Sequence, residues 1–303
     1  MIRDFREIDR LASSGGAVRM AVLAPQEREF MLTVKLACDR GYILPYLIGR
    51  KETIQRLSDE IGMDISQVEV IDIFDSQEIS DMGISMLFGR DVDIAIKGHI
   101  PTAFIYRSIL KKERSLGKKH TISVNTLWDI PAVDHLVSIT DTGVNIAPDL
   151  ETKKDIVRDA VFLMGLLGYR DVNVAVLSSY NGINLETKSL DHARMLRHAA
   201  SDGELGACRL MDAFSMADIL LSNDSDSKLE LGKMPHVILV PDLDAGNIIS
   251  KLDFMLDVTR RSLVLSSEGP VIIPSRSDVH TSVIGEVALG VVVSRLLAGE
   301  ISC

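Results

Sequence analysis

"VDIAIKGHIPTAFIYRSILKKE", residues 92–113, is the stretch on which the fold class turns. VDIAIKG is an apolar run of strand length. PTAFIYRSILKKE follows with helical spacing and opens on a proline suited to a first helical turn. The same order recurs upstream. MAVLAP (20–25) precedes EREFMLTVKLACDRG, ILPYLIG (43–49) precedes KETIQRLSDEIG, and VEVIDIF (68–74) precedes SQEISDMGISMLFGR. Helical spacing shows in Phe30, Val34 and Leu36, and again in Ile54, Leu57 and Ile61. Strand and helix in alternation predict a parallel sheet packed between helices, an α/β protein.

The alternation breaks at HTISVNTLWDIP (120–131) and AVDHLVSIT (132–140), which follow each other with only a short turn. They form either an antiparallel pair or one strand and a crossover between domains. The pattern then resumes. NIAPDL (145–150) enters ETKKDIVRDAVFLMGLLG, a helix ending at Gly168, followed by the strand VNVAVLS (172–178) and the helix KSLDHARMLRHAAS (188–201). The polar SNDSDSKLELGKM (222–234) reads as an exposed loop. HVILV (236–240), RRSLVLS (260–266) and PVIIPSRSD (270–278) are further strand runs, and TSVIGEVALGVVVSRLLAG (281–299) closes the chain as a helix.

Bulk properties narrow the function. A chain of 303 residues is expected to form about two domains. Its net charge of −10 disfavours a general polyanion binder, so nucleic acid is not an expected partner, although a local cationic pocket for a small phosphate remains open. Cys38, Cys208 and Cys303 show neither CxxC pairing nor metal-ligand spacing. No zinc site, no disulfide framework and no metal are expected, and a reducing cytoplasm fits. The amino terminus carries acids and does not read as a signal peptide. No apolar stretch is expected to reach transmembrane length, so no membrane is implied.

In a parallel α/β sheet, function gathers at the carboxyl ends of strands, where loops meet helix N-termini. Five stretches qualify: KGHIPTA (97–103), TDTGVNIAPDL (140–150), SSYNGIN (178–184), PDLDAGN (241–247) and PSRSD (274–278). Ser275 and Arg276 set a hydroxyl beside a guanidinium, which suits an oxyanion such as phosphate, though a plain strand-to-helix turn uses the same residues. Lys97 at a strand end and Arg107 on the next helix can face an anion or simply cap and solvate. His99 reads as structural. Asp149 and Asp242 can cap helices, which leaves Asp244 and Asn247 near a crevice; Gly246 permits close backbone approach.

Together these stretches resemble the phosphate acetyltransferase and phosphate butyryltransferase family, closer to the butyryl side. KGHIPTAFIYRSIL, TDTGVNIAPDLETKKDIV, VAVLSSYNGIN, ILVPDLDAGNIISK and PVIIPSRSD stand in the family's order and spacing across about residues 20–298. The resemblance implies transfer of a short acyl group between coenzyme A and inorganic phosphate. Both are substrates, and neither a metal, a cofactor nor a covalent acyl-enzyme is used. It implies a fold like isocitrate and isopropylmalate dehydrogenases, two α/β domains with a cleft, and a homodimer or larger assembly. Residues 1–128 with 277–303 would form the first domain and 129–276 the second.

The implied catalytic residues are Ser275, Arg276 and Asp278. The implied substrate-binding residues are Lys97, Arg107, Asn145, Asp149, Asp244, Asn247 and Lys251. Arg107 and Arg276 would hold phosphate, Ser275 would bond the carbonyl oxygen or leaving sulfur, and Asp278 would take the thiol proton. The chain departs from the family pattern at Thr281 and Ser282, where members carry an acid. It departs again at Ser123–Val124, Tyr180–Asn181 and Asp212–Ala213–Phe214. Those departures keep two rivals open: a non-catalytic homologue that binds coenzyme A or phosphate, and a dehydrogenase-like enzyme on a related fold.

Overall fold

The computed structural model describes residues 1–118, 120–178, 187–211, 215–220, 234–275 and 280–303. In chain order the elements begin with α1 (Phe5–Ser13), β1 (Val18–Leu23), α2 (Arg28–Asp39), β2 (Ile43–Gly49), α3 (Lys51–Ile61) and β3 (Glu69–Asp72). Then come α4 (Ser76–Phe88), β4 (Ile94–Lys97), α5 (Thr102–Ser115), β5 (Val124–Asp129), β6 (Val137–Thr140), α6 (Leu150–Leu166), β7 (Val172–Val176) and α7 (Lys188–Ser201). The chain continues with β8 (Cys208–Leu210), α8 (Met216–Leu220), β9 (Val237–Leu239), α9 (Leu243–Ser250), β10 (Thr259–Leu265), β11 (Pro270–Ile272) and α10 (His280–Leu297). The expected loop at 222–234 lies outside the described residues except for Met234.

The chain divides into two α/β units. The amino-terminal unit is Phe5–Ile122 with Arg261–Ile301; the central unit is Ser123–Arg260 with Met1–Asp4 and Ser302–Cys303. The division implied by resemblance differs from this at residues 1–4, 123–128, 261–276 and 302–303; the third of these segments changes unit because β11 pairs with β4 and carries β10 with it.

In the amino-terminal unit the strand order is β3-β2-β1-β4-β11-β10. All pairs through β11 are parallel, and β10 turns back antiparallel onto β11. β4 is buried throughout and β1 almost throughout, as strands covered by helices on both faces must be. α10 is apolar on every side and buried from Val283 to Arg295. By length and composition it does reach transmembrane dimensions, against expectation, but its window is mostly buried inside the protein, as befits a central core helix. Arg295, 2% exposed, is kept in this core by work at the end of α1: its guanidinium donates to the carbonyls of Leu11 at 2.8 Å, Ala12 at 3.2 Å and Gly16. These are the orphan acceptors of a helix C-terminus and the residues just beyond it.

In the central unit the order is β5-β6-β9-β7-β8. The two runs at the break in alternation form an antiparallel pair, with Thr126 opposite Ile139 and Trp128 opposite Val137. β6, β9, β7 and β8 are parallel. Trp128, Val137, Ile139, Ala175, Ile238 and Val240 lie at the heart of the core. The chain's first residues belong here: Tyr169 Oη donates to the Ile2 carbonyl at 2.8 Å and accepts from Leu136 N–H at 2.8 Å.

Candidate active site

β1 has β2 on one flank and β4 on the other, so successive connections leave in opposite directions. The carboxyl ends of strands at such a reversal frame a natural crevice. Here Leu23 and Lys97 end β1 and β4 in register. The loops beyond cross closely: Gly98 N–H donates to Leu23 O at 2.7 Å and His99 N–H to Ala24 O at 3.0 Å. A Cβ on residue 98 would stand 2.5 Å from the Ala24 carbonyl oxygen, so only glycine fits. Ala24 itself has φ 48°, a left-handed conformation uncommon outside glycine.

At these strand ends lies a cavity of about 500 Å³ lined by Lys97, Gly98, His99, Glu27, Ser275 and His280 among others. Lys97 is 7% exposed and its ammonium donates to the Gly98 carbonyl at 3.2 Å. Ser275 arrives from the end of β11, the strand beside β4, and is exposed. The cavity therefore brings Lys97 and Ser275 together. Arg276 and Asp278 lie outside the described residues. Arg107 does not line this cavity. It is exposed on α5, donates to Gln77 Oε1 at 3.0 Å, and rests over the Phe104 ring.

Two imidazole–carboxylate pairs at the cavity were not singled out from sequence. His99 Nδ1 lies 2.6 Å from Glu27 Oε1, and His280 Nδ1 lies 3.0 Å from Glu29 Oε2. The signal available was positional: Glu27 and Glu29 follow β1, and His99 follows β4, at the same sheet edge.

The remaining predicted residues belong to the central unit. Asn145 donates through both N–H and Nδ2 to Asp141 Oδ2, each at 2.7 Å. Asp141 Oδ1 accepts from the N–H groups of Val124, Gly143 and Val144, so this buried carboxylate organises the whole loop after β6. Asp149 caps α6, accepting from Thr152 N–H at 2.9 Å, and that hydrogen bond holds its pKa below the ordinary carboxylate value. Asp242 caps α9 through Ala245 N–H at 3.0 Å. Asp244 is exposed in the first turn of α9, and Asn247 accepts from Lys251 Nζ at 2.9 Å. Gly246 has a packing reason: a Cβ there would run into the Asp141 carbonyl oxygen, so α9 can lie against the loop after β6 only without one. Tyr180–Asn181 and Asp212–Ala213–Phe214 lie outside the described residues. Among the described residues no group of three or more His, Cys, Asp or Glu is placed to hold a metal ion.

Known proteins match this arrangement. Residues 77–291 fit the family described as phosphate acetyl/butaryl transferase. The chain is 26% identical to the phosphate butyryltransferase of Clostridium acetobutylicum over 97% of its own length and 99% of that protein's. It is 28% identical to the phosphate acetyltransferase of Rickettsia felis, over 89% of this chain and 80% of that one. Among solved structures, a branched-chain phosphotransacylase from Enterococcus faecalis V583 superposes with a TM-score of 0.75 at 20% identity, covering 91% of this chain and 99% of that one. The likeness in structure carries the fold, a dehydrogenase-like α/β architecture, and the match over most of the sequence carries the rest: the chain belongs to the phosphate acetyl/butaryl transferase family and is a phosphate acyltransferase.

Proposed function

We propose that the enzyme moves a short acyl group, butyryl or a chain of similar size, between coenzyme A and inorganic phosphate. The observation that carries the proposal is the cavity in which Lys97 and Ser275 meet at adjacent strand ends. Phosphate is anionic near neutral pH, so its attack depends on placement and on fixed positive charge more than on a strong base. A phosphate oxygen bonds to the thioester carbonyl carbon; the C–S bond breaks, the acyl phosphate forms, and the thiolate leaves and takes up a proton. Lys97, with Arg276, holds the phosphate and offsets the charge that develops on the carbonyl oxygen. Ser275 hydrogen-bonds that oxygen or the departing sulfur. Asp278 takes the thiol proton in the reverse direction. Asn145, Asp149, Asp244, Asn247 and Lys251 are read as substrate-binding from the resemblance alone. Both small molecules are substrates, and the chemistry calls for no metal and no further cofactor.

The butyryl preference rests on the likeness of the quoted motifs to the butyryl side of the family. Assembly into a homodimer or larger is supported by exposed apolar side chains on and just after α9: Ile248, Phe254, Met255 and Leu256. Thiol release from acetyl-, butyryl- and isobutyryl-CoA in the presence of phosphate tests the function. Phosphate-dependent release with butyryl-CoA ahead of acetyl-CoA in kcat/KM is expected. Release from none of them would reduce the protein to a binder, and acetyl-CoA used equally well would sink the preference.

A further inference from the structure

In the central unit, the basic side chains of Lys153 and His192 are buried, and each presents a polar atom with no partner among the described residues. Lys153 on α6 is 2% exposed, with no hydrogen bond or ion pair to any described residue. His192 on α7 is 8% exposed and its Nδ1 is buried with no hydrogen-bond partner. The active-site reading uses neither. A buried polar atom left unpaired is costly, and so is an ammonium carried on a side chain this buried, so both groups call for a reason.

The topology places them at one edge. β6, β9 and β7 are parallel neighbours, and α6, α7 and α9 begin beyond their carboxyl ends. Asp149, Thr187 and Asp242 cap those helices. The charge on Lys153 is felt by His192, and Lys153 in turn feels Asp242 and Lys188, so the groups share one neighbourhood. Asp242 is the attracting acid, yet its carboxylate is exposed and engaged at the α9 cap, and among the described residues no acid reaches ion-pair distance of Lys153. A structural ion pair therefore does not account for the lysine.

We propose that Lys153 and His192 form the floor of a binding site for a phosphate group, with Lys188 at its mouth. A tetrahedral oxyanion offers enough lone pairs to accept from the ammonium and the imidazole N–H together, and positive charge from two helices favours an anion over a neutral ligand. Ser178, Thr187 and Ser189, whose hydroxyls lie within 3.3 Å of one another, add further donors beside Lys188 at the start of α7. Burial, followed by the opposing pull of Asp242 and the push of Lys188, brings Lys153 down to about 8. Burial, with Lys153 and Lys188, lowers His192 as well, while Asp149 pulls it the other way. An anion that restores the ammonium therefore binds less well as pH rises through about 8.

The site rests on the phosphate acyltransferase reading only for the carrier of the phosphate, which is either free inorganic phosphate or the nucleotide head of coenzyme A. The test uses the full chain with labelled lysine and histidine side chains. Inorganic phosphate and adenosine 3′-phosphate 5′-diphosphate are titrated separately while the Lys153 and His192 signals are followed by NMR. Both signals should move with at least one probe. Lys153→Met should weaken that probe at least tenfold at this site, and Lys153→Arg should restore most of the loss. Response to inorganic phosphate identifies the free ion; response to the nucleotide alone identifies the coenzyme A head. If Lys153→Met does not fold, the wild-type signals and His192→Gln decide. Signals that stay fixed with both probes, or a Lys153→Met protein that binds both as the wild type does, would overturn the proposal. Thiol release measured in parallel keeps the two readings apart: signals that move without turnover leave this site standing, and turnover without movement removes it alone.

Discussion

At the scale of single residues, the proposed active site turns on a lysine whose burial is arranged by the backbone around it. Lys97 ends β4 in register with Leu23, and Gly98 lets the next loop press against the β1 exit. The side chain thus reaches the cavity from a rigid strand end instead of a mobile loop, where its charge acts in a poorly solvated place. Lys97→Met keeps the apolar stem and deletes the charge. It should lower kcat/KM for phosphate by about 10²-fold, the scale of one lost oxyanion donor, with little change in thermal midpoint. Unaltered phosphate kinetics would take Lys97 out of the site. Arg276→Ala should act in the same direction and by a similar factor of about 10²; a KM for phosphate equal to that of the wild type, with normal turnover, would argue against its role.

At the scale of elements, the loop after β6 and the start of α9 form one construction. Five N–H groups converge on the Asp141 carboxylate, and Gly246 admits α9 against the Asp141–Thr142 backbone. Asp141→Ala would leave buried donors without an acceptor, so unfolding free energy should fall by about 1–3 kcal/mol or more in a denaturant titration. Gly246→Ala should cost a similar ~1–3 kcal/mol by forcing α9 off the loop. A loss under half a kilocalorie in both would mean that the loop has other supports.

The strands, the helices and their βα order were legible in the sequence, because apolar runs and helical spacing are local properties. Gly246 was legible as a close approach, though what it approaches was not. β8, with three residues, and α8, with five, gave too few periods to register. The two imidazole–carboxylate pairs depend on loops from different strands meeting, which one-dimensional spacing does not carry. Lys153 did leave a trace. It lies on the buried stripe of α6 with Ile156, Val157 and Ala160, an i, i+3, i+4, i+7 pattern in which a lysine is out of place. His192 sits likewise in line with Leu196 and Ala199 on α7.

At the scale of the molecule, the two units should differ in their response to acid, and the difference can be read from buried bases. His236 in the central unit accepts Asn173 N–H on Nδ1 at 3.0 Å and meets the rings of His135 and Tyr169 edge-on. Burial, with His135 nearby, pushes it down to about 4 from 6.5. Between those values the unfolded chain holds the proton that the folded unit refuses, so stability rises with pH across that window and is lost as pH falls from 6.5 towards 4. Lys153 acts in the same sense higher up: its contribution rises between about 8 and 10.5.

In the amino-terminal unit, Glu268 is hydrogen-bonded by Lys118 and Arg90 and held below its ordinary value of 4.5. Its contribution is complete above that value and is lost only as pH falls through the lowered one. The central unit should therefore loosen first on mild acidification. The chain's single tryptophan, Trp128, is buried in that unit's core and reports on it alone. Its fluorescence should change at a higher pH than the loss of amide-exchange protection in β1 and β4. His236→Asn keeps an acceptor for Asn173 N–H and removes the titrating ring, so it should flatten the stability slope between pH 6.5 and 4 and bring the two transitions closer. Transitions that coincide in the wild type and do not move in the variant would show that the units unfold as one body and that His236 does not set the acid limit.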